Sequence, residues 1–210
     1  MDTLAALKQL ISLLAIVNPI GAIPLFLAWT KSRGKAERTD AARTAAITAI
    51  VALLAGVWLG DALFGFFGIR LASFRVGGGL LLLLMAIAML QAETPAAKHA
   101  AAEEQEARSK DNVGVVPLGI PLLAGPGSIS LVIDAAQRLP DLTGKAVLSA
   151  EIVLVGVATW IALRSGDRIF ARVGETGINV VTRLMGLILA AVAVELLAAG
   201  ALALFPGLAG

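Results

Sequence analysis

The residues best placed to do chemistry in this chain are two clusters of helix breakers, Asn18-Pro19-Ile20-Gly21-Ala22-Ile23-Pro24 and Pro121-Leu122-Leu123-Ala124-Gly125-Pro126-Gly127-Ser128. Each lies inside a long apolar run, and about 107 residues separate them. Asn is a favoured N-cap and Pro a favoured first helical residue, so Asn18-Pro19 predicts the end of one half-helix and the start of another. Gly125-Pro126 predicts the same, with Ser128 available to satisfy a freed amide. A half-helix amino terminus carries unpaired N–H groups and about half a positive charge, which suits a carboxylate. Two such termini could hold an amino acid, with Gly21, Gly125 and Gly127 letting the backbone approach closely. The substrate-binding candidates are Asn18, Pro19, Gly21, Pro24, Gly125, Pro126, Gly127, Ser128 and Ser130. A pair of purely structural kinks is the alternative, since Pro and Gly are common in membrane helices.

Other polar residues offer fewer openings. Glu195 sits near the middle of the last apolar run, so it is expected to face the protein interior and to have a partner. It would act as a proton carrier or a contact for a substrate amine, or else as a protonated acid satisfying a freed backbone group. Asp61 with Arg75 and Asp167 with Arg183 form two candidate gates near opposite faces, or are charges snorkelling at span ends. Asp134 and Glu151 are expected to be interfacial. The single His99 falls in a polar stretch and there is no Cys, which leaves no metal site, no cofactor-anchoring thiolate and no intramembrane protease chemistry. The chain is not expected to be an enzyme.

The elements that carry these residues must cross a bilayer. At 58% hydrophobic residues, 15% charged and a mean hydropathy of +0.88, the 210-residue chain has the composition of a membrane protein. A crossing helix needs roughly 20 apolar residues. Six runs qualify: Leu7–Thr30, Ala41–Phe64, Leu71–Leu90, Val113–Ala136, Ala146–Leu163 and Val180–Phe205. The first run is too long for a cleavable signal and carries a break in its middle.

Lys and Arg collect in alternate connections. Lys31, Arg33, Lys35, Arg38 and Arg43 follow the first run, Lys98, Arg108 and Lys110 the third, and Arg164, Arg168, Arg172 and Arg183 the fifth. Only Lys8, Arg70, Arg75, Arg138 and Lys145 fall on the other side. The positive-inside rule then makes the richer side cytoplasmic and places both termini outside. This sidedness, with no stripe of basic residues along one element, also argues against a nucleic-acid partner despite a pI near 9.3.

The halves repeat. Gly60-Asp61-Ala62-Leu63-Phe64 with Gly68 matches Gly166-Asp167-Arg168-Ile169-Phe170 with Gly174, and Arg75 with Gly78 matches Arg183 with Gly186. Three spans per half is an odd number, so the second half must enter the membrane from the opposite face. The expected fold is an all-α membrane protein of six transmembrane helices in two inverted three-helix repeats, with spans 1 and 4 broken near the midplane. Residues 1–92 form the first repeat and 113–210 the second. Residues 93–112 form an Ala- and Glu-rich cytoplasmic connection, as a tether or a partner-docking helix. Gly56 and Gly60 would permit close helix packing, which is compatible with a homo-oligomer without fixing one.

The stretch Asn18 to Pro24, together with Val115-Val116-Pro117-Leu118-Gly119-Ile120-Pro121-Leu122-Leu123-Ala124-Gly125-Pro126-Gly127-Ser128-Ile129, closely resembles the MarC family of bacterial inner-membrane proteins. The likeness runs through the whole chain, including Arg183-Leu184-Met185-Gly186. It implies a six-span protein of the bacterial inner membrane. Some members transport small neutral amino acids such as alanine and glycine. The function expected is a secondary transporter of that class, with a small-molecule substrate and the lipid bilayer as its partners. The alternatives are a channel or exporter for another small solute, or a membrane protein without transport activity.

Overall fold

A computed structural model of the protein describes residues 3–91, 114–139 and 141–209. The connection at 93–112 lies outside them. Helix α1 (Thr3–Val17) and the short α2 (Ile23–Trp29) flank the first cluster, followed by α3 (Lys35–Phe67) and α4 (Leu71–Leu90). An irregular segment, Gly114–Leu123, leads into α5 (Pro126–Arg138), then α6 (Leu142–Arg164), α7 (Gly166–Leu204) and a last turn at Pro206–Ala209. The described residues contain no strand.

Four of these helices, α3, α4, α6 and α7, are long and apolar enough to cross a membrane, and the segment Gly114–Leu123 with α5 makes a fifth candidate bent by 61°. The first expected span is less regular. α1 has 15 residues and α2 only 7, because the chain spends Asn18 to Ala22 in turns between them. The connection after α6 also departs from expectation: Arg168 and Arg172 belong to the opening turns of α7, which starts at Gly166 and is interrupted at Gly174.

That interruption has a counterpart. Gly68 closes α3 with φ 63°, and Gly174 breaks α7 with φ 68°; among the described residues these are the only glycines in the left-handed region. Without a Cβ the conformation costs little. They are the two glycines that the sequence match pairs.

The tightest packing joins α4 to α7. α4 buries Gly78, Gly79, Leu82, Ala86 and Met89, while α7 buries Gly186, Leu189, Ala193, Leu196 and Gly200. A Cβ built on Gly79 would lie 3.0 Å from Ala193 O, and one on Gly200 only 2.8 Å from Ala72 O. Gly186 in turn faces Ala86 and Met89, so the two helices run antiparallel with backbones nearly touching. Small residues permit this, as they do where apolar lipid removes the hydrophobic drive between helices. α3 and α6 are antiparallel too, since Trp58 Nε1 donates to Ser149 Oγ at 3.2 Å while Gly156 faces Ile50. Gly56 and Gly60 pack within the chain, against Val132 and Ile133 of α5.

Glu195 is exposed, contrary to the expectation of an inward acid, and makes no hydrogen bond or ion pair among the described residues. The cause is helical phase. Ala193, Leu196 and Gly200 take the α4-facing side, which turns Glu195 outward. An acid at the centre of a crossing helix costs about 2.5–3.5 kcal/mol on insertion scales. Glu195→Leu should therefore stabilise the protein in a bilayer by about 2 kcal/mol, read as a raised unfolding midpoint in nanodiscs. Unchanged or lowered stability would mean that the carboxylate has a partner from outside the chain.

Candidate functional site

The first cluster does not start a long half-helix at Pro19. Asn18 adopts φ 45°, unusual for a residue with a Cβ, and its Oδ1 accepts from Gly21 N at 3.1 Å. Pro19 to Ala22 form turns, and α2 begins at Ile23 with Pro24 in its first turn. Asn thus caps a turn, while Pro24 takes the helix-starting role expected of Pro19. Gly21 is obligatory beside it, because a Cβ there would lie inside the Asn18 amide. With 7 residues, α2 presents little macrodipole.

The second cluster agrees with expectation at its centre. Gly125 is the N-cap of α5 with extended backbone, and Pro126 occupies the first turn. The hydroxyl of Ser128 behaves differently from expectation: it lies within donating distance of Leu123 O at 3.2 Å and Gly125 O at 3.0 Å, so it serves carbonyls, not an amide. Ile129 N bonds to Gly125 O, whereas the Gly127 and Ser128 amides donate to no backbone carbonyl. These are the orphan donors that every helix start leaves, and Pro126 has none to give.

The break extends further upstream than the Gly125-Pro126 reading implied. Val116 and Ile120 are extended, with φ −131° at both, and each precedes a proline. Proline Cδ clashes with a helical residue before it, so Pro117 and Pro121 force both kinks. The Ile120–Pro121 bond is cis. The whole approach to α5 is held as irregular backbone against α3, with Gly114 over Thr44 and Gly119 over Thr48.

The fold brings the end of α1, just ahead of the first cluster, against the start of α5. A Cβ on Gly127 would lie 3.4 Å from Ile16 Cδ1 and 2.6 Å from Met85 Sδ, so α1, α4 and α5 meet there. The meeting point is closed over: Val17, Ala22, Ile23, Leu123 and Ala124 are each 4% exposed or less. Gly125, Gly127 and Ser128 are buried there, while Pro126 is exposed. Ser130, though buried, turns toward Gly78 of α4, so it belongs to a helix seam.

The candidate gates are rewired. Arg75 binds Asp134 of α5, whose other oxygen accepts from Arg138 at 2.8 Å. Asp134 is 2% exposed, not interfacial, and its burial follows from the two guanidiniums that neutralise it. Asp167 pairs with Arg38 at 3.0 Å instead of Arg183, which is exposed, and the Asp61 side chain lies outside those described. Sequence reasoning missed Asp134 and Arg138, although their i, i+4 spacing marks a pair on one helix face. Glu151 was also expected at an interface, yet it is buried in α6 and its Oε2 has no hydrogen-bond partner. Among the described residues no group of His, Cys, Asp and Glu is arranged to hold a metal ion.

A family model described as MarC family integral membrane protein matches residues 4–205. This chain belongs to the MarC family. Among curated relatives, the UPF0056 membrane protein YhcE of Escherichia coli is 35% identical over 96% of this chain and 94% of its own length. A UPF0056 membrane protein of Methanocaldococcus jannaschii is 38% identical, covering 90% of this chain and 92% of its own. The YvbG protein of Bacillus subtilis, named likewise, is 37% identical over 93% of both. These MarC relatives are named as membrane proteins, none as an enzyme, and the names carry no substrate. No solved structure matches the chain. An integral membrane protein of apolar helices is thus the plain description of this MarC family member.

Proposed function

We propose that the protein is a secondary transporter of small neutral amino acids, alanine- or glycine-like, with the substrate carboxylate held at the start of α5 beside the Asn18 turn. The observation that carries the reading is the pair of buried Gly127 and Ser128 amides, without backbone acceptors among the described residues, where the end of α1 packs against the start of α5. They sit at the positive end of a 13-residue helix, buried beside Leu123 and Ala124, where an anion gains most. Gly21, Ala22, Ala124, Gly125 and Gly127 are all small, which favours a small substrate once the closed contact opens. The inverted repeat fits the same reading. The helices that the repeat pairs, α3 with α6 and α4 with α7, contact each other antiparallel, as a two-fold axis in the membrane plane requires.

Alternating access would open the closed contact to one face at a time. The Arg75–Asp134–Arg138 cluster would latch one face and Arg38–Asp167 the other. With the Lys- and Arg-rich side cytoplasmic, both termini face the periplasm of a bacterial inner membrane.

The test is uptake of labelled alanine and glycine by proteoliposomes. Asn18→Ala removes the Oδ1 cap and strains a left-handed residue, together costing about 2 kcal/mol locally. Uptake should fall at least about tenfold while the variant still folds. Absence of both flux and binding across the small neutral amino acids sinks the proposal. Flux that survives the substitution moves the site away from this turn.

A further inference from the structure

We infer that the protein holds one anionic phospholipid in a groove between α3 and α6, at the end of the molecule where α3 begins and α7 starts. Three adjoining cavities make up this groove. The first, of about 390 Å³, lies among Lys35, Arg38, Arg164 and Arg168, with Asp167 as its only acid. Arg38 already engages that acid at 3.0 Å, whereas the Lys35 and Arg168 side chains make no ion pair among the described residues. The second, a shallow depression of about 620 Å³, shares Lys35 and Thr39 with the first and adds Asp40, Arg43 and Trp160, so its two cations face one acid. The third, about 220 Å³, shares Arg43 and Trp160 and is otherwise apolar, along Ile47, Ile50 and Val157.

Charge and polarity therefore change in one direction, from a cationic mouth to an apolar furrow. Ile47 and Val157 are 47% and 42% exposed, so the furrow is open sideways to lipid. The sequence of environments is that of a phospholipid, with phosphate at one end and an acyl chain at the other. Trp160 adds an independent sign. It lines both the second and the third cavity, as an aromatic side chain does where a lipid passes from headgroup to acyl chain. Arg164 stacks 5.2 Å from the ring centroid and holds the indole at the junction between the basic and apolar parts.

Charge sidedness alone explains basic residues on one face, but it does not call for a shared pocket or a furrow leading from it. Nor does the repeat dictate this cluster. Lys35, Arg164 and Arg168 align on Leu142, Trp58 and Ala62 of the other half. A free anion would use the first cavity and have no need of the furrow.

Native mass spectrometry of the intact protein, titrated with dioleoyl phosphatidylglycerol, dioleoyl phosphatidylcholine or inorganic phosphate, separates these cases. The expected result is one tightly retained phosphatidylglycerol, favoured at least about tenfold over phosphatidylcholine. Arg164→Gln with Arg168→Gln should weaken it about 30-fold, from roughly 1 kcal/mol per cation near an anionic headgroup. Val157→Trp, which fills an exposed part of the furrow, should lower lipid binding and leave phosphate binding unchanged. Melting in phosphatidylcholine nanodiscs verifies that each variant is folded. Equal retention of the two lipids, phosphate binding that matches phosphatidylglycerol, or a preference that survives the double arginine substitution would each overturn the inference.

Discussion

Asp134→Ala should destabilise the protein by about 3 kcal/mol, the low end of what removing one member of a buried ion pair costs. Asp134 is 2% exposed and accepts from Arg75 on one oxygen and Arg138 on the other. Without the carboxylate, the Arg75 guanidinium is left against an apolar seam with no counter-charge. The figure is set low because the Arg138 side chain is 53% exposed and can turn to water, while that of Arg75 is only 20% exposed. Arg138→Ala alone should therefore cost less than about 1 kcal/mol, as for an exposed pair. Replacing Arg75 and Asp134 together by leucines should recover most of the loss, since no charge is then stranded. Thermal unfolding in nanodiscs reads all three. Equal effects for Asp134→Ala and Arg138→Ala would show that Arg75 does not depend on the acid.

Gly79→Leu should cost about 3 kcal/mol or more and disrupt the longest helix contact. At Gly79 the obstacle is backbone: a Cβ would stand 3.0 Å from both Ala193 O and Leu197 N, and 2.8 Å from the Leu197 side chain. Side chains can rotate aside, but a carbonyl in a helix cannot, so α4 and α7 would have to move apart. Overpacking a tight site usually costs about 1–3 kcal/mol, and here the separation also empties contacts at Leu82, Ala86 and Leu189. Gly77→Leu is the control on the same helix, because nothing lies within 4 Å of a Cβ there. It should be nearly silent. If both substitutions gave the same loss, the seam would not be responsible, because Gly→Leu by itself favours the helix at either site.

Much of the architecture was legible because it depends on local chemistry. Apolar length specified α3, α4 and α6 to within a few residues of their apolar portions, and Pro-Gly content located both breaks. Gly68 and Gly174 were matched from sequence and share the left-handed conformation. Details of capping were harder to foresee. Asn18 and Pro19 satisfied the rule for a helix start, yet Pro24 let the chain insert turns and begin α2 later. Ser128 looked like an amide acceptor, but Gly125 and Leu123 carbonyls were nearer to its hydroxyl. In each case two local solutions were available, and packing of α1, α4 and α5 around Gly127 selected one.

The sequence by itself determined that this is a membrane protein of apolar helices with two clusters of helix breakers, because lipid allows few ways to satisfy apolar length and broken backbone. Only the tertiary structure decided partners. It gave Asp134 to Arg75 and Asp167 to Arg38, turned Glu195 outward, buried Glu151, and gathered Lys35, Arg164 and Arg168 around one cavity. The reason is geometric. Periodicity assigns a residue to a face of its own helix, whereas the neighbour on that face depends on how the helices cross, and glycines as far apart as Gly79 and Gly200 set that crossing.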